Sequence, residues 1–425
     1  MTALLMIGSI VLLVAVLGAV AWGARRWQLH PEVARKTIHV GLGLYCLTLP
    51  ALFDRTGPVL GICGMAVILL LAARAAKQRH AGLGAGLHGV ARESYGELLF
   101  AISVALLFVF GHRNLVTYLV PLAILTLSDA AAALVGIRYG HARFRVEEGV
   151  KSLEGAAIFL LTAWIITMSL LLDFSEAPRL NVIVLGGLIA LYGTLVEAQS
   201  WRGWDNFFVP MAIHMVLSNN LEAPPSLLLE GAGIGIAGLA AMLLLRRRLG
   251  LDAHAAGFMA TVLATIGMAS STWNVVVPAL ALGCHLLARD PDDGLRPYPH
   301  LRLALVMVLL AFAWYLFGVL TPYPTVYAFN VSFAALGLAL LGSRGRIWLA
   351  LAMVPVFWVA VAARWLLQAP APPFDAANME MRLCILLLAA AVPSAARRLS
   401  WRIAGEGLGL LALAAGGATL RSLLW

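Results

Sequence analysis

Leu127-Ser-Asp-Ala-Ala-Ala-Ala-Leu-Val-Gly-Ile-Arg-Tyr-Gly140 embeds one acid, Asp129, in an apolar run, and Lys151-Ser-Leu-Glu-Gly155 follows after a short basic loop. A carboxylate at membrane depth is costly unless it is compensated, so such an acid usually marks a functional site. We therefore interpret this stretch as a loop that handles phosphate at a membrane surface.

A second interpretation of the same stretch is a helix-packing motif. Gly136-x-x-x-Gly140 would allow two helices to approach closely, and Arg138 would neutralise Asp129. That interpretation leaves the lysine and the glutamate that follow, Lys151 and Glu154, without a role.

Composition sets the fold class. Of the 425 residues, 61% are apolar and only 12% are charged, which excludes a soluble globular protein. Because a chain in lipid must satisfy its backbone hydrogen bonds internally, helices are expected. The sequence predicts an all-α, polytopic integral membrane helical bundle with about 14–16 transmembrane helices.

The distribution of positive charge predicts the orientation. Up to residue 248, the loops on one side hold 16 Lys and Arg residues and those on the other side hold three. The basic side is expected to be cytoplasmic. Residues 3–23 lack a preceding positive charge and precede Arg25 and Arg26, so we expect a retained first helix with its N-terminus outside. The net charge of +9 then reflects cytoplasmic loops and not nucleic-acid binding.

Two parts of the chain are expected to differ. Arg246-Arg247-Arg248 closes a first block, and beyond it few charged residues lie inside the apolar segments. The sequence predicts a catalytic transmembrane domain over 1–248 and an additional helical domain of unknown role over 249–425. The four cysteines lie in apolar runs without metal-type spacing, so neither disulfides nor a zinc site are expected.

A first polar cluster lies where a basic loop leads into the second apolar segment. Arg35 and His39 are four residues apart and share a helix face, with Lys36 between them. Residues that reach towards the membrane surface are the ordinary explanation for Arg35 and Lys36. His39, one step inside the apolar run, favours a cationic group that holds phosphate oxygens.

A second cluster has two acids on one helix face. Glu93 and Glu97 are four residues apart, which is unfavourable unless a metal or a base compensates them. The alternative is that acids favour helix N-termini.

The opening stretch forms the third cluster. Gly136 and Gly140 would let backbone approach a ligand, and Arg138 adds positive charge. Ser152 is a plausible N-cap beside Lys151, leaving N–H groups for an anion, and Glu154 could support Mg²⁺.

A fourth cluster joins the ends of two neighbouring helices. Glu197 closes one apolar segment, and Asp205 and Asn206 open the next. Such oxygens suit Mg²⁺. The alternative is that Asp205 merely caps a helix.

In order and spacing, these clusters resemble the polyprenol kinase family, which comprises dolichol, phytol and farnesol kinases and is related to the membrane cytidylyltransferases that make CDP-diacylglycerol. The resemblance covers about residues 30–220. It rests on Arg35-Lys36-x-x-His39, Glu93 to Glu97, Asp129 with Gly136 and Gly140, Lys151-Ser-x-Glu154-Gly155, Glu197, and Asp205-Asn206-x-x-x-Pro210.

The resemblance implies transfer of the terminal phosphate of CTP to an isoprenoid alcohol such as phytol, farnesol, dolichol or another polyprenol. The expected nucleotide-binding residues are Arg35, Lys36, Gly136, Arg138, Gly140, Lys151, Ser152 and Gly155. The expected ligands of Mg²⁺, or of another divalent cation, are Asp129, Glu197, Asp205 and Asn206. The expected catalytic residues are Asp129, Lys151, Glu154, Glu197, Asp205, Glu93 and His39, with the general base left open among Glu93, His39 and the other acids.

Two alternatives remain open at this point. A phosphatidate cytidylyltransferase-like enzyme would retain CMP on the lipid and release pyrophosphate. A transporter or flippase would use intramembrane charges as coupling sites, which should lie near mid-membrane. The expected partners are a nucleotide and a membrane lipid alcohol, with no nucleic acid and an unknown oligomeric state. The Arg-rich, Ala-rich composition favours a bacterial inner membrane, with the active site on the cytoplasmic side.

Overall fold

The computed structural model describes residues 2–81, 95–111, 114–146, 149–289, 299–320 and 325–366. Within these ranges the chain forms sixteen α-helices and one two-stranded sheet. The elements are α1 (Thr2–Arg26), α2 (Pro31–Leu47), α3 (Leu49–Leu52), α4 (Thr56–Ala81), α5 (Gly96–Gly111), α6 (Leu115–Ala123), α7 (Asp129–Tyr139), β1 (Arg143–Val146), β2 (Gly149–Ser152), α8 (Leu153–Phe174), α9 (Arg179–Gln199), α10 (Asp205–Asn220), α11 (Pro225–Leu245), α12 (Ala253–Ala269), α13 (Val276–Ala288), α14 (Pro299–Leu320), α15 (Thr325–Ser343) and α16 (Ile347–Leu366).

Six stretches of the described helices are long and apolar enough to cross a membrane. They are Leu4–Arg26, Leu115–Tyr139, Leu153–Phe174, Arg179–Gln199, Pro225–Leu245 and His300–Val319. Several shorter apolar helices accompany them. The predicted all-α, multi-pass membrane bundle is confirmed, and the number of 14–16 spans stays a prediction.

Large apolar side chains point outward along two of the helices. Leu4, Ile7 and Val11 of α1, and Leu229 and Leu244 of α11, are all more than half exposed. Water would make such a surface unfavourable, whereas lipid makes it neutral, so both helices have the surface of lipid-facing segments.

The chain divides into two compact units, Met1–Ala232 and Gly233–Trp425. In the first unit, α8 lies between α7 and α9, while α10 packs on α5, α6 and α9. Helix α2 packs on α1, α6 and α7. The centre is filled by fully buried Phe108, Tyr118 and Phe159, and the hydroxyl of Tyr118 donates to the Cys46 carbonyl at 2.7 Å.

In the second unit, α13 packs on α15 and α16, and α14 packs on α12 and α15. His285 of α13 and His300 of α14 are 3.0 Å apart between ring nitrogens. The predicted division of function at residue 248 stays a prediction. The three cysteines that the structure describes, Cys46, Cys63 and Cys284, are buried free thiols, and Cys384 lies outside the described residues.

One helix of the first unit contains an irregular turn just before Asp129. Between α6 and α7, residues Ile124–Ser128 form a π-helical turn, so one continuous helix runs from Leu115 to Tyr139 with a locally widened turn. Pro121 lies just upstream and removes one backbone donor from the helix. Such turns shift the helix register and often occur at functional sites.

The segment between α7 and α8 is a short hairpin that the sequence analysis did not predict. Strands β1 and β2 are antiparallel, and Phe144 lies opposite Lys151 while Arg145 lies opposite Val150. Helix α8 begins directly after β2, so the hairpin is attached to a spanning helix without a linker.

Candidate active site

A buried ion pair joins α2 to α7. The Lys36 ammonium lies 2.5 Å from Asp129 Oδ2, and both side chains are less than a tenth exposed. Lys36, and not Arg138, therefore neutralises this carboxylate. Arg138 instead lies over the ring of Tyr139, 5.6 Å from its centre.

His39, one turn further along α2, completes the surroundings of Asp129. Its Nε2 lies 2.9 Å from the carbonyl of Leu125 in the π-helical turn and 3.6 Å from Asp129 Oδ2. A carbonyl can only accept, so Nε2 carries a proton and donates. If His39 acts as a base, only its Nδ1 can take up a proton.

Two hydroxyl groups of the π-helical turn are buried without a hydrogen-bond partner in the structure, Thr126 Oγ1 and Ser128 Oγ. Buried polar groups are normally paired, so each of these hydroxyl groups can still form a hydrogen bond. Both residues lie close to Asp129 in the sequence. Neither hydroxyl group was predicted from the sequence, although two hydroxyl residues before an intramembrane acid, with a nearby proline, were a signal for an irregular turn.

A second ion pair joins the hairpin to α9. Lys151 Nζ lies 2.6 Å from Glu197 Oε1 and also donates to the backbone carbonyl of Glu197. Glu197 lies in the last turn of α9, where carbonyls lack partners within the helix and where a cation is favourable. Lys151 therefore caps this helix end as well as pairing with its acid.

The pKa of Lys151 depends on more carboxylates than its ion-pair partner Glu197. Burial lowers the pKa of this ammonium, but the carboxylates of Glu197, Asp205 and Asp129 more than offset that effect. Its pKa consequently lies above its ordinary value. The structure places these groups together: α7 packs on α2 and α8, and α10 packs on the π-helical turn before Asp129. The two ion pairs and the start of α10 therefore form one electrostatic neighbourhood, in which Asp129 and Asp205 both act on Lys151. We refer to Lys36, Asp129, Lys151 and Glu197 as the paired cluster.

The residues of the paired cluster lie at different distances from the ends of their helices. Asp129 lies ten residues before the end of α7, about 15 Å of helix rise. Its partner Lys36 lies in the second turn of α2, and Glu197 lies two residues before the end of α9. The paired cluster thus gathers near the start of α2 and the end of α9, while α7 continues past it.

Three glycines of the predicted nucleotide loop are needed for packing. A Cβ on Gly155 would lie 2.9 Å from the Ala132 carbonyl oxygen, and one on Gly136 would lie 3.0 Å from Ser152 Oγ. A Cβ on Gly140 would lie 2.8 Å from Ser152 Cβ. These glycines let α7 approach the start of α8, so the packing part of the alternative interpretation holds. Their contact with a nucleotide stays a prediction.

Ser152 and Glu154 fix the start of α8 and the hairpin. Ser152 Oγ accepts from the N–H of Gly155 at 3.1 Å, which confirms the predicted N-cap. Glu154 Oε1 accepts from the N–H groups of His141 and Ala142, both at 3.0 Å. Glu154 thereby ties the hairpin to α8, and its role towards a metal stays a prediction.

The hairpin separates its basic residues onto two faces. Residues opposite each other in an antiparallel pair point to the same side, so Lys151 shares a face with Phe144. Arg143 and Arg145 lie on the other face and are exposed. Only the lysine of this loop faces Glu197.

Asp205 and Asn206 begin α10 after a tight turn. Arg202 and Gly203 both have positive φ angles, of 52° and 84°. Asp205 is the first helical residue and no side chain caps this helix, so the capping alternative is wrong. Asn206 Nδ2 donates to the Gly203 carbonyl at 3.2 Å, while Asn206 Oδ1 is buried and has no hydrogen-bond partner in the structure.

The four predicted metal ligands differ in whether a lysine already binds them. Among the described residues, no group of three or more His, Cys, Asp or Glu side chains is arranged to hold a metal. Asp129 and Glu197 are each held by a lysine, whereas Asp205 and the open Oδ1 of Asn206 are not. Mg²⁺ is commonly held by one or two protein oxygens together with substrate phosphates, so Asp205 and Asn206 fit such an ion. The four-residue ligand set stays a prediction.

The remaining predicted residues lie at the margin of the site or outside it. Arg35 pairs with Glu32, with Nε 3.0 Å from Oε2, and this hydrogen bond lowers the pKa of Glu32. The sequence analysis did not identify Glu32 as a partner, although the spacing of three residues on one helix was a signal. Glu97 is exposed and lies 4.0 Å from Arg74, and Glu93 lies outside the described residues.

Comparison with known proteins adds one informative similarity. The chain is 29% identical to a phytol kinase from Synechocystis sp. over 212 residues, which are 47% of this chain and 86% of the relative. No family profile matches the chain. No solved structure matches it either. The similarity supports a kinase-type phosphotransferase in general, within a multi-pass membrane protein.

Proposed function

We propose that this protein is a lipid-alcohol kinase that transfers the terminal phosphate of CTP to an isoprenoid alcohol. The observation that carries the proposal is the paired cluster, in which two lysines and two acids from four separate elements share one electrostatic neighbourhood. The similarity to a phytol kinase supports the same class of reaction and of acceptor.

The reaction needs charge stabilisation and positioning more than covalent chemistry from the protein. The alcohol oxygen attacks the terminal phosphorus, the bond from that phosphorus to the bridging oxygen breaks, and CDP leaves. The hydroxyl proton passes to a base, and the lipid monophosphate remains. Fixed cations that neutralise the developing charge are the main source of rate enhancement in such transfers.

Each residue of the site has a proposed task. Lys36 and Lys151 contact phosphate oxygens, as compact ammonium groups do. Arg35, near the start of α2, adds positive charge beside them. Asp205 and Asn206 hold Mg²⁺, which would neutralise phosphate charge when bound. Asp129 and His39 Nδ1 are the candidates for the proton acceptor among the described residues, because both lie beside Lys36.

The location of the site also belongs to this proposal. Lys36, Lys151 and Glu197 lie near helix ends or in the hairpin, on the side whose loops carry most of the Lys and Arg residues. Asp129 lies about 15 Å of helix rise from the end of α7. We place that side in the cytoplasm of a bacterial cell, where CTP is present. The isoprenoid chain would stay in the bilayer while its hydroxyl reaches the paired cluster.

The direct test is phosphate transfer by purified protein in detergent with Mg²⁺. Phytol, farnesol and a long polyprenol are offered in turn, with CTP or ATP labelled in the terminal phosphate. We expect labelled lipid monophosphate from CTP, and its absence for all three alcohols with both nucleotides would contradict the proposal. Asp129→Asn should abolish transfer, whereas Asp173→Asn, an exposed acid at the far end of α8, should not.

A further inference from the structure

Both proposed phosphate-binding lysines are already engaged by carboxylates. Lys36 Nζ lies 2.5 Å from Asp129, and Lys151 Nζ lies 2.6 Å from Glu197. The sequence contains only three lysines, so the chain commits two of them to these pairs. Each pair joins elements distant in sequence, by 93 residues for Lys36 and Asp129 and by 46 for Lys151 and Glu197.

Each ammonium has three N–H donors but a single charge, so a phosphate group that binds it competes with the carboxylate that already balances that charge. Asp129 is nearly inaccessible to solvent, and a buried charge that loses its counter-charge is strongly destabilised. His39 is the other basic group in contact with Asp129, but its Nε2 already donates to Leu125. Glu197 likewise has Lys151 as its partner, with Asp205 as a further negative charge nearby.

Nucleotide polyphosphates would therefore add negative charge to a site whose positive charges are already balanced. A cation that binds together with the polyphosphate removes this electrostatic cost. It becomes the partner of Asp129 and Glu197, and the two lysines of the paired cluster can then donate to the phosphates. The orphan Oδ1 of Asn206 and the carboxylate of Asp205 provide further oxygens for that cation.

We infer that the two lysine–carboxylate pairs act as an exclusion device: the site rejects a bare polyphosphate and accepts one only together with a divalent cation. In this exchange, Asp129 and Glu197 restrain the lysines until the cation compensates the acids. The inference rests on the proposed function, since it concerns the same nucleotide site.

The inference makes a prediction that a simple ligand role for the acids does not make. If Asp129 only bound the metal, Asp129→Asn would improve the binding of metal-free CTP no more than Asp205→Asn does, because each removes one carboxylate that repels the phosphates and neither lysine of the paired cluster forms its ion pair with Asp205. If Asp129 restrains Lys36, the same substitution frees the ammonium, so the variant binds metal-free CTP better than the natural protein does. Glu197→Gln should have the same effect through Lys151.

Equilibrium dialysis of labelled CTP with purified full-length protein tests this, in EDTA and in Mg²⁺. For the natural protein we expect binding at least about tenfold tighter with Mg²⁺, which corresponds to about 1.4 kcal/mol. Asp129→Asn should bind CTP at least about tenfold tighter in EDTA than the natural protein, and Mg²⁺ should add little. Inorganic tripolyphosphate, as a competitor, should show the same pattern, because the effect belongs to the phosphates and not to the base.

The controls separate folding from binding. Asp173→Asn and Glu176→Gln remove exposed acids in the last turn of α8 and just after it, and both variants should bind as the natural protein does. Thermal unfolding in detergent reports whether each variant is folded, and Glu197→Gln is an independent test if Asp129→Asn does not fold.

Three outcomes decide the matter. Equal affinity of the natural protein in EDTA and in Mg²⁺ would overturn the inference while leaving the proposed function intact. So would a folded Asp129→Asn and a folded Glu197→Gln that both bind metal-free CTP no better than Asp205→Asn does. No CTP binding under either condition would overturn the proposed function and the inference with it.

Discussion

Lys36 and Asp129 hold α2 against α7 through a buried ion pair with an N–O distance of 2.5 Å. An acid in an apolar run was sufficient to predict a functional position. Its partner was not identified, because the two residues are 93 positions apart and only the packing of α2 on α7 brings them together. A nearer cation, Arg138, offered a local solution that the fold does not use.

Removing the lysine of this pair should destabilise the protein strongly. Lys36→Met leaves Asp129 buried without a counter-charge, and we expect a loss of about 3–5 kcal/mol of stability. The double variant Lys36→Met/Asp129→Asn should lose less, because no charge then remains unpaired. Thermal unfolding in detergent measures both, with Arg179→Met, which removes an exposed cation at the start of α9, as the control. Equal stability of Lys36→Met and the natural protein would show that the ion pair is not formed.

Lys151 should matter for turnover more than for folding, because its side chain is partly exposed. Lys151→Met should reduce turnover with CTP by at least about 100-fold, since fixed charges at a transferring phosphate have effects of this size. Steady-state rates with saturating CTP and alcohol measure the loss. A folded Lys151→Met variant with full turnover would remove this residue from the site.

Helices were easier to predict than the elements that shape the site. The apolar composition of the chain predicted the multi-pass helical bundle, because length and hydropathy suffice for this. The hairpin was not predicted, since two strands of only four residues each are too short to show a distinctive sequence pattern. It forms through tertiary anchoring, in which Glu154 accepts two backbone hydrogen bonds.

Glu154 can be assigned to anchoring or to metal support by two substitutions. Glu154→Gln retains a side-chain oxygen that accepts from His141 and Ala142 but loses the charge. If anchoring dominates, this variant should keep most of its activity, whereas Glu154→Ala should lose it. Hydrogen exchange at His141 and Ala142 should be faster in the alanine variant alone. Equal loss of activity in both variants would favour a charge-dependent role.

The contact of α7 with α8 should tolerate no side chain at Gly155. A Cβ there would press on the backbone carbonyl of Ala132, which cannot move away as a flexible side chain could. We expect Gly155→Ala to cost about 1–3 kcal/mol of stability. Gly64→Ala is the matched control, because no atom lies within 4 Å of a Cβ at that position. Equal thermal unfolding of the two variants would contradict the packing described for α7 and α8.

At the level of the whole chain, every residue of the paired cluster lies in the first compact unit, Met1–Ala232. A predicted catalytic domain over 1–248 includes that unit and the whole of α11. The sequence could predict a boundary from the Arg246-Arg247-Arg248 run, but it gave no role to the residues that follow. In the second unit's described helices, ring nitrogens of His285 and His300 lie 3.0 Å apart.

A chain ending after Arg248 should retain phosphate transfer if this division of function is correct. All of the proposed nucleotide, metal and base residues would be present in it. Transfer from CTP to phytol by the purified fragment measures this, with circular dichroism and thermal unfolding to establish folding. A folded fragment that binds CTP but transfers no phosphate would show that the second unit contributes to the reaction.

Whether the protein is a kinase or a cytidylyltransferase is decided by which phosphate of CTP is transferred to the lipid. Purified protein is given phytol or a polyprenol, Mg²⁺, and CTP labelled either at the α-phosphate or at the terminal phosphate, and the organic phase is counted. A lipid-alcohol kinase transfers only the terminal label to the lipid. Transfer of the α-label would indicate a cytidylyltransferase, and a lipid that acquires neither label would contradict phosphate transfer altogether.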